Sequence, residues 1–361
     1  MTVVRIILAF LAATIGIPLM VPLALLIIPF WIISILTRGI LRLIEPTFLT
    51  RDQLIEFDPD FGWKARANLD THHLMVDLFH LQTDADGWRG HASLKESEIV
   101  VFGDSFAAGY GVSDDHFFAN LKGPYRIKPI GIGGYSMVQE LLWMNRLAPK
   151  LKGKFVVWFI YHGNDLYDNL SPDLRGYRKP FVRERGDSGE WEIVSSHIKK
   201  EPWSIVTRNR LSGEHHLPKL AELCSNTFLA KRAYNACDYL IRRGKEICSA
   251  AEAELLILTI PDACQLTAEG QRSLKARGGN LSSFDPNFPD ENIKKTCQRW
   301  DTAYLAGRTF LDPSCYKTND CHWNEKGNRK VFEALNRLCR ERPSQSASRV
   351  PNSSAHLLVQ A

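Results

Sequence analysis

The sequence predicts an α/β fold, a three-layer α/β/α sandwich around a parallel five-stranded sheet, preceded by an apolar N-terminal segment. Three observations predict it. Short, nearly continuous apolar runs recur after residue 50. Polar, helix-like stretches separate them. Small or chemically capable residues stand directly after each run: Gly103-Asp104-Ser105, Gly133-Gly134 and Gly163-Asn164-Asp165. Apolar strands of this kind suit a parallel sheet covered on both faces, and strand–helix alternation gives the doubly wound arrangement. Ligands bind such sheets at the carboxyl ends of the strands.

The N-terminal segment comes first. Ile6 to Thr37 carries no charged side chain, and about 20 apolar residues cross a bilayer. The run exceeds the roughly 7–15 residues of a signal-peptide core. Pro18, Pro22 and Pro29 interrupt it, and proline kinks a helix by removing a backbone donor. Residues 1–48 therefore read as a membrane anchor, either one kinked helix or a helical hairpin turning near Pro18–Pro22. Ile32 to Ile44 reads as an interfacial helix with Arg38 and Arg42 reaching for the headgroups. Arg5 precedes the run and Arg38, Arg42 and Arg51 follow it. Positive flanks favour a cytoplasmic catalytic domain.

Residues 49–340 form the globular domain. Glu98–Phe102, Arg126–Ile132, Phe155–Tyr161, Leu255–Ile260 and Thr309–Leu311 are the five predicted strands. The stretch from about 170 to 244 is longer than a simple crossover. It reads as an insertion beside the crevice, helical from Leu220 to Arg243. Residues 341–361 are polar and aperiodic, the pattern of a disordered tail.

Charge and cysteines narrow the function. A net charge of +5 without a dense Lys/Arg block argues against nucleic acid as a partner. Eight cysteines show no C-x-x-C pair and no zinc spacing. They fit disulfides in an exported domain and buried thiols in a reduced one equally. His72 and His73 form a pair without a third ligand at metal spacing, and read as a solvated loop.

Four sequence blocks, each at a predicted strand end or in the closing loop, resemble those of the SGNH/GDSL hydrolases: VVFGDSFAAGYGV at 100–112, GIGGYSMVQEL at 131–141, YHGNDLYDN at 161–169 and DCHWNEKGN at 320–328. FDPDFGWKARAN at 57–68 and TDADGWRG at 83–90 are similar to the lead-in of membrane-linked members. The resemblance implies a flavodoxin-like sheet and a serine esterase needing no cofactor and no metal. Ser105 is then the nucleophile on a strand-to-helix turn. A serine hydroxyl needs an adjacent base, and His322 supplies an imidazole titrating near neutrality. Asp320 would hold its tautomer and stabilise the imidazolium. The Ser105 amide, the Gly134 amide and the Asn164 side chain would form the oxyanion hole.

Many members carry the acid three residues before the histidine. That position is Asn319 here, and Asp320 is two before. The shorter spacing resembles SGNH proteins that act on acyl groups of bacterial polysaccharides. Asp312 is the reserve acid. Asp104 and Asp165 read as braces of the motif loops, Cys321 and Trp323 as packing residues, and His162 as a neighbour that could touch substrate. The expected reaction is hydrolysis of an O-acyl ester on a glycan or lipid-linked substrate at the bacterial inner membrane. O-acyl transfer with the same triad is the first alternative; a non-catalytic carbohydrate-binding or scaffold role is the second.

Overall fold

The computed structural model describes residues 54–342 apart from 75–76, 175–176, 187–188, 196–197, 200–215, 280, 282 and 319, together with isolated positions before residue 50. The chain divides into two compact units, Met1–Thr50 and Arg51–Ala361. Almost all of the expected anchor, the interfacial helix at 32–44 and the tail from 343 lie outside the described residues. Among the described residues no helix is long and apolar enough to cross a membrane.

The larger unit is built on five parallel strands: β1 Ile99–Gly103, β2 Ile127–Gly131, β3 Phe155–Tyr161, β4 Glu254–Ile260 and β5 Ala303–Ala306. Their order in the sheet is β2-β1-β3-β4-β5. The order reverses between β1 and β3, which opens the crevice at their carboxyl ends. Every residue of β1 and β3 is buried, so both faces of the sheet are covered.

Successive side chains of a strand point to opposite faces. One set, including Ile99, Val101, Val157, Phe159 and Leu258, packs with Phe117, Phe118, Trp323, Val331 and Leu335. The last two belong to the C-terminal helix Glu325–Glu341. The other set faces helices α1 Met137–Leu147 and α2 Phe228–Ala250. There Trp158 lies so close to α2 that a Cβ on Gly244 would stand 2.5 Å from its ring. Helix Phe288–Arg299 packs on α2 and β5.

Several expectations need correction. The fifth strand is Ala303–Ala306, and residues 307–309 form a 3₁₀ turn instead. This strand lies at the sheet edge and no residue of it is fully buried, so its sequence, AYLA, lacks the apolar run that marks the other four. The stretch 170–244 also contains most of α2, which is the crossover helix between β3 and β4. The predicted helix from Leu220 is two helices, His216–Leu223 and α2, with Thr227 capping the second through a hydrogen bond from the Ala230 amide. Two antiparallel strands, Phe181–Glu184 and Trp191–Val194, precede them.

His72 and His73 lie on the strand Asp70–Leu74, paired antiparallel with Leu78–Gln82, rather than in a solvated loop. His73 is buried against Phe79, because strand alternation turns it inward while His72 turns out. All eight cysteines are free thiols, six of them buried.

Candidate active site

Ser105 follows β1 directly. No α-helix forms between residues 104 and 126; the segment is a series of turns. Gly103 is needed at the strand end, where a Cβ would sit 3.0 Å from both Ala107 and Phe159. The buried guanidinium of Arg89 holds the turns in place. It donates to the carbonyls of Gly109 (2.5 Å), Val112 (2.6 Å) and His80 (3.1 Å), and its Nε donates to Asp114 at 2.7 Å. The lead-in motif at 83–90 thus supplies the clamp on the loop that follows Ser105.

The histidine comes from the other end of the chain. Tyr316 and Trp323 form a β-bridge, and the Lys317 amide donates to the His322 carbonyl at 3.0 Å. Trp323 is buried against Phe106 (4.8 Å) and Phe159 (5.7 Å), the packing role expected of it. Asn324 then caps the C-terminal helix by accepting from the Gly327 amide. A rigid helix start and a buried indole therefore fix the loop on both sides.

These elements bring three predicted residues together. His322 Nε2 lies 2.7 Å from Ser105 Oγ, and His322 Nδ1 lies 2.8 Å from Asp320 Oδ1. Burial disfavours charge on the imidazole, but Asp320 and the neighbouring Cys321 outweigh it and push the His322 pKa up to about 10. Burial also works against the Asp320 carboxylate, yet the hydrogen bond from His322 keeps its pKa below the ordinary value. Asp312, the reserve acid, lies elsewhere: it pairs with Lys330 at 2.7 Å and caps Pro313–Cys315.

Gly134 and Asn164 line the same cleft of about 380 Å³ as Ser105 and His322. Gly134 has φ +81°, a left-handed conformation that glycine adopts without a Cβ penalty. Asn164 Nδ2 donates to Asp104 Oδ2 at 3.2 Å. An amide nitrogen carries two hydrogens, so the second can serve an acyl oxygen. Asp104 braces the loop as expected, accepting also from the Phe106 amide (2.9 Å) and Ser105 Oγ (3.4 Å). Asp165 accepts from the Tyr161 amide at 2.7 Å. His162 is fully buried, with Nδ1 3.1 Å from Gln265 Oε1 and Nε2 3.5 Å from Asp290. It is not among the residues lining the cleft.

The sequence reading missed a buried polar layer beneath the site. Lys179 Nζ donates to the Asp168 carbonyl (2.5 Å), Ser136 Oγ (3.1 Å) and the Pro180 carbonyl (3.4 Å). Ser136 is two residues beyond Gly134, and Asp168 closes the helical turn that Asn164 begins. One ammonium group therefore ties together the two loops that carry Gly134 and Asn164. Burial pulls its pKa down to about 8, against the pull of Asp168, Asp173, Asp165 and Glu140. Burial, and then mutual repulsion with Asp104, pushes the Glu140 and Asp165 carboxyls well above their ordinary range. Lys179 falls in a stretch without motif resemblance, so no spacing marked it. Lys179→Met should displace the loops that carry Gly134 and Asn164, and on an ester substrate should lower kcat by about 10²-fold while KM changes little. Steady-state kinetics alongside a thermal melt will check this; an equal loss in KM would assign Lys179 to substrate binding instead.

Several other residues that line the cleft were also not anticipated. Tyr161 OH donates to Asp262 at 2.5 Å, and His216 Nε2 lies 3.4 Å from the same carboxylate oxygen. Lys219 Nζ stands 3.9 Å from the Tyr167 ring centroid. Tyr161, Tyr167, Asp168, His216 and Lys219 all line the cleft. Helix His216–Leu223 carries two of them, so the segment beyond β3 does furnish part of the wall.

No family model matches the chain, and no curated protein matches it. Among solved structures it is similar to a GDSL-like lipase from Bacteroides thetaiotaomicron at 11% identity, covering 69% of this chain and 90% of that one with a TM-score of 0.35. A carbohydrate acetylesterase family member from Sinorhizobium meliloti is 12% identical, with coverage of 67% and 96% and a TM-score of 0.36. An aryl esterase from M. smegmatis is 8% identical, with coverage of 67% and 97% and a TM-score of 0.38. These likenesses are distant, and the chemistry of the site stands on its own geometry.

Proposed function

We propose that the chain is a serine esterase of the SGNH/GDSL type, hydrolysing an O-acyl ester through an acyl-serine intermediate. The observation that carries this is the continuous Ser105–His322–Asp320 hydrogen-bond relay beside Gly134 and Asn164. His322 takes the Ser105 proton as Oγ attacks the acyl carbon. The Ser105 and Gly134 amides and Asn164 Nδ2 receive the developing oxyanion. The imidazolium, held by Asp320, then protonates the leaving alcohol, and water repeats the sequence to release the acid. A non-catalytic role gains nothing from a serine hydroxyl 2.7 Å from an imidazole.

The cleft supports a compact acyl group on a polar alcohol. About 380 Å³ is small for a ligand site, and Asp168, His216 and Lys219 offer polar groups to sugar hydroxyls. An acylated glycan or lipid-linked sugar is the proposed substrate class. Fluorophosphonate labelling, followed by turnover of acetyl and long-chain esters of sugars, tests the proposal. Absence of labelling on folded protein would refute the nucleophile; a preference for long alkyl alcohols would refute the substrate class. The His216–Asp262 pair favours a second reading, O-acyl transfer, since it places another imidazole where an acceptor hydroxyl could bind. Partition of product between water and added sugar decides between the two.

The pH dependence follows from the relay. Catalysis needs Nε2 unprotonated, and Asp320 favours the protonated ring. kcat/KM should therefore rise with pH through a limb alkaline of an ordinary histidine. Asp320→Asn removes the carboxylate that favours the imidazolium, so the remaining activity should titrate at lower pH. A limb that stays in place in this variant would deny the coupling.

Attachment to the bacterial inner membrane through residues 1–48, with the domain on the cytoplasmic face, completes the proposal. The uncharged run Ile6 to Thr37 and the arginines that flank it support this. Retention in membranes through a high-salt wash, and protection of a C-terminal tag from an impermeant reagent until lysis, are the expected results.

A further inference from the structure

The Ser105–His322–Asp320 relay has an uncommon neighbour. Cys321 lies between the two relay residues in sequence, and its Sγ stands 3.8 Å from His322 Nδ1. A carboxylate oxygen of Asp320, Cys321 Sγ and a ring nitrogen of His322 all lie within 4.8 Å of one another. Asp320 Oδ2 is buried and accepts no hydrogen bond from a described residue. All three residues line the cleft. A survey of C-x-x-C spacings does not detect such a set, because its ligands are consecutive.

We propose that Asp320, Cys321 and His322 form an inhibitory site for a thiophilic divalent cation, Zn²⁺ in the first instance. Zinc takes thiolate sulfur at about 2.3 Å and imidazole nitrogen or carboxylate oxygen at about 2.0–2.2 Å, in tetrahedral array. Ligand atoms around such an ion lie about 3.3–3.8 Å apart. Cys321 Sγ already stands 3.8 Å from His322 Nδ1 and moves toward the carboxylate, while Asp320 Oδ1 and His322 Nδ1, now 2.8 Å apart, spread by about 0.5 Å; the partly exposed Cys321 side chain provides the movement. Three protein ligands leave the fourth position to a water in the cleft. Thiolate and imidazole together select zinc or cadmium over magnesium and calcium, which prefer oxygen.

The same atoms make metal binding and catalysis mutually exclusive. Catalysis requires the proton on Nδ1, donated to Asp320, and a lone pair on Nε2 facing Ser105. A metal on Nδ1 requires the lone pair there and moves the ring proton to Nε2. The base then presents an N–H to Ser105 and cannot accept its proton. Binding also displaces the thiol proton of Cys321 to solvent.

The test has two independent arms. In Ser105→Ala protein, Co²⁺ should give a thiolate-to-cobalt charge-transfer band in the near ultraviolet, absent from Ser105→Ala/Cys321→Ser. This arm depends on the ligands alone and not on the esterase reading. In active protein, Zn²⁺ but not Mg²⁺ should inhibit turnover. Cys321→Ser should raise the half-inhibitory Zn²⁺ concentration by about 100-fold, a loss at least as large as those seen on removing outer-shell partners, each rate being normalised to the same variant without metal. A band that survives the serine substitution, no band at all, or equal zinc sensitivity in both proteins would overturn the site. A thermal melt of each variant confirms that the comparison is between folded proteins.

Discussion

Ser105→Ala is expected to lower kcat/KM by about 10⁶-fold and to abolish fluorophosphonate labelling, with the melting temperature unchanged. The hydroxyl has one close partner, His322 Nε2 at 2.7 Å, and a longer contact to Asp104 at 3.4 Å. Neither supports the turn, which Gly103, Arg89 and the Asp104–Phe106 hydrogen bond maintain. Removing Oγ therefore removes the attacking atom and little else. A small residual rate over water should remain, because the oxyanion donors and substrate binding are untouched. Turnover above a few per cent of the unmodified enzyme would sink the assignment of Ser105.

Asp320→Asn should cost about 10⁴-fold in kcat, and Asp312→Asn little. The carboxylate of Asp320 accepts the Nδ1 proton at 2.8 Å and so leaves the Nε2 lone pair toward Ser105. An asparagine amide can donate to Nδ1 instead, which turns an N–H toward the nucleophile and disables the base. Asp312 binds Lys330 and the turn at Pro313–Cys315, far from that proton. If Asp312→Asn proved the more damaging, the acid of the relay would have to be reassigned. Asp320 is hydrogen-bonded to His322 while Asp312 is paired with Lys330, which is why Asp320 is the acid proposed here.

Much of this was legible in the sequence for a physical reason. Strands buried on both faces must be apolar throughout, so FVVWFIY and LLILTI announce themselves and fix the sheet. Residues at their ends then fall on one edge, which is why Ser105, Gly134 and Asn164 could be placed together beforehand. The edge strand Ala303–Ala306 escaped because half-exposure relaxes the apolar requirement. Lys179, Asp262 and His216 escaped because each acts through a tertiary hydrogen bond to a residue remote in sequence. Arg89 stood inside a recognised lead-in, but its grip on the loop that carries Ser105 is visible only in space.

Ser105 and His322 are 217 residues apart, and the C-terminal helix that anchors the His322 loop is the last described element of the chain. During translation the serine emerges first and stays chemically inert. At roughly 5–20 residues per second, about 10–40 s separate its synthesis from that of the histidine. The relay closes only after the final helix docks beneath the sheet. On the proposed assignment a chain cut before Asp320 keeps Ser105 but lacks its base, and should not react with a fluorophosphonate.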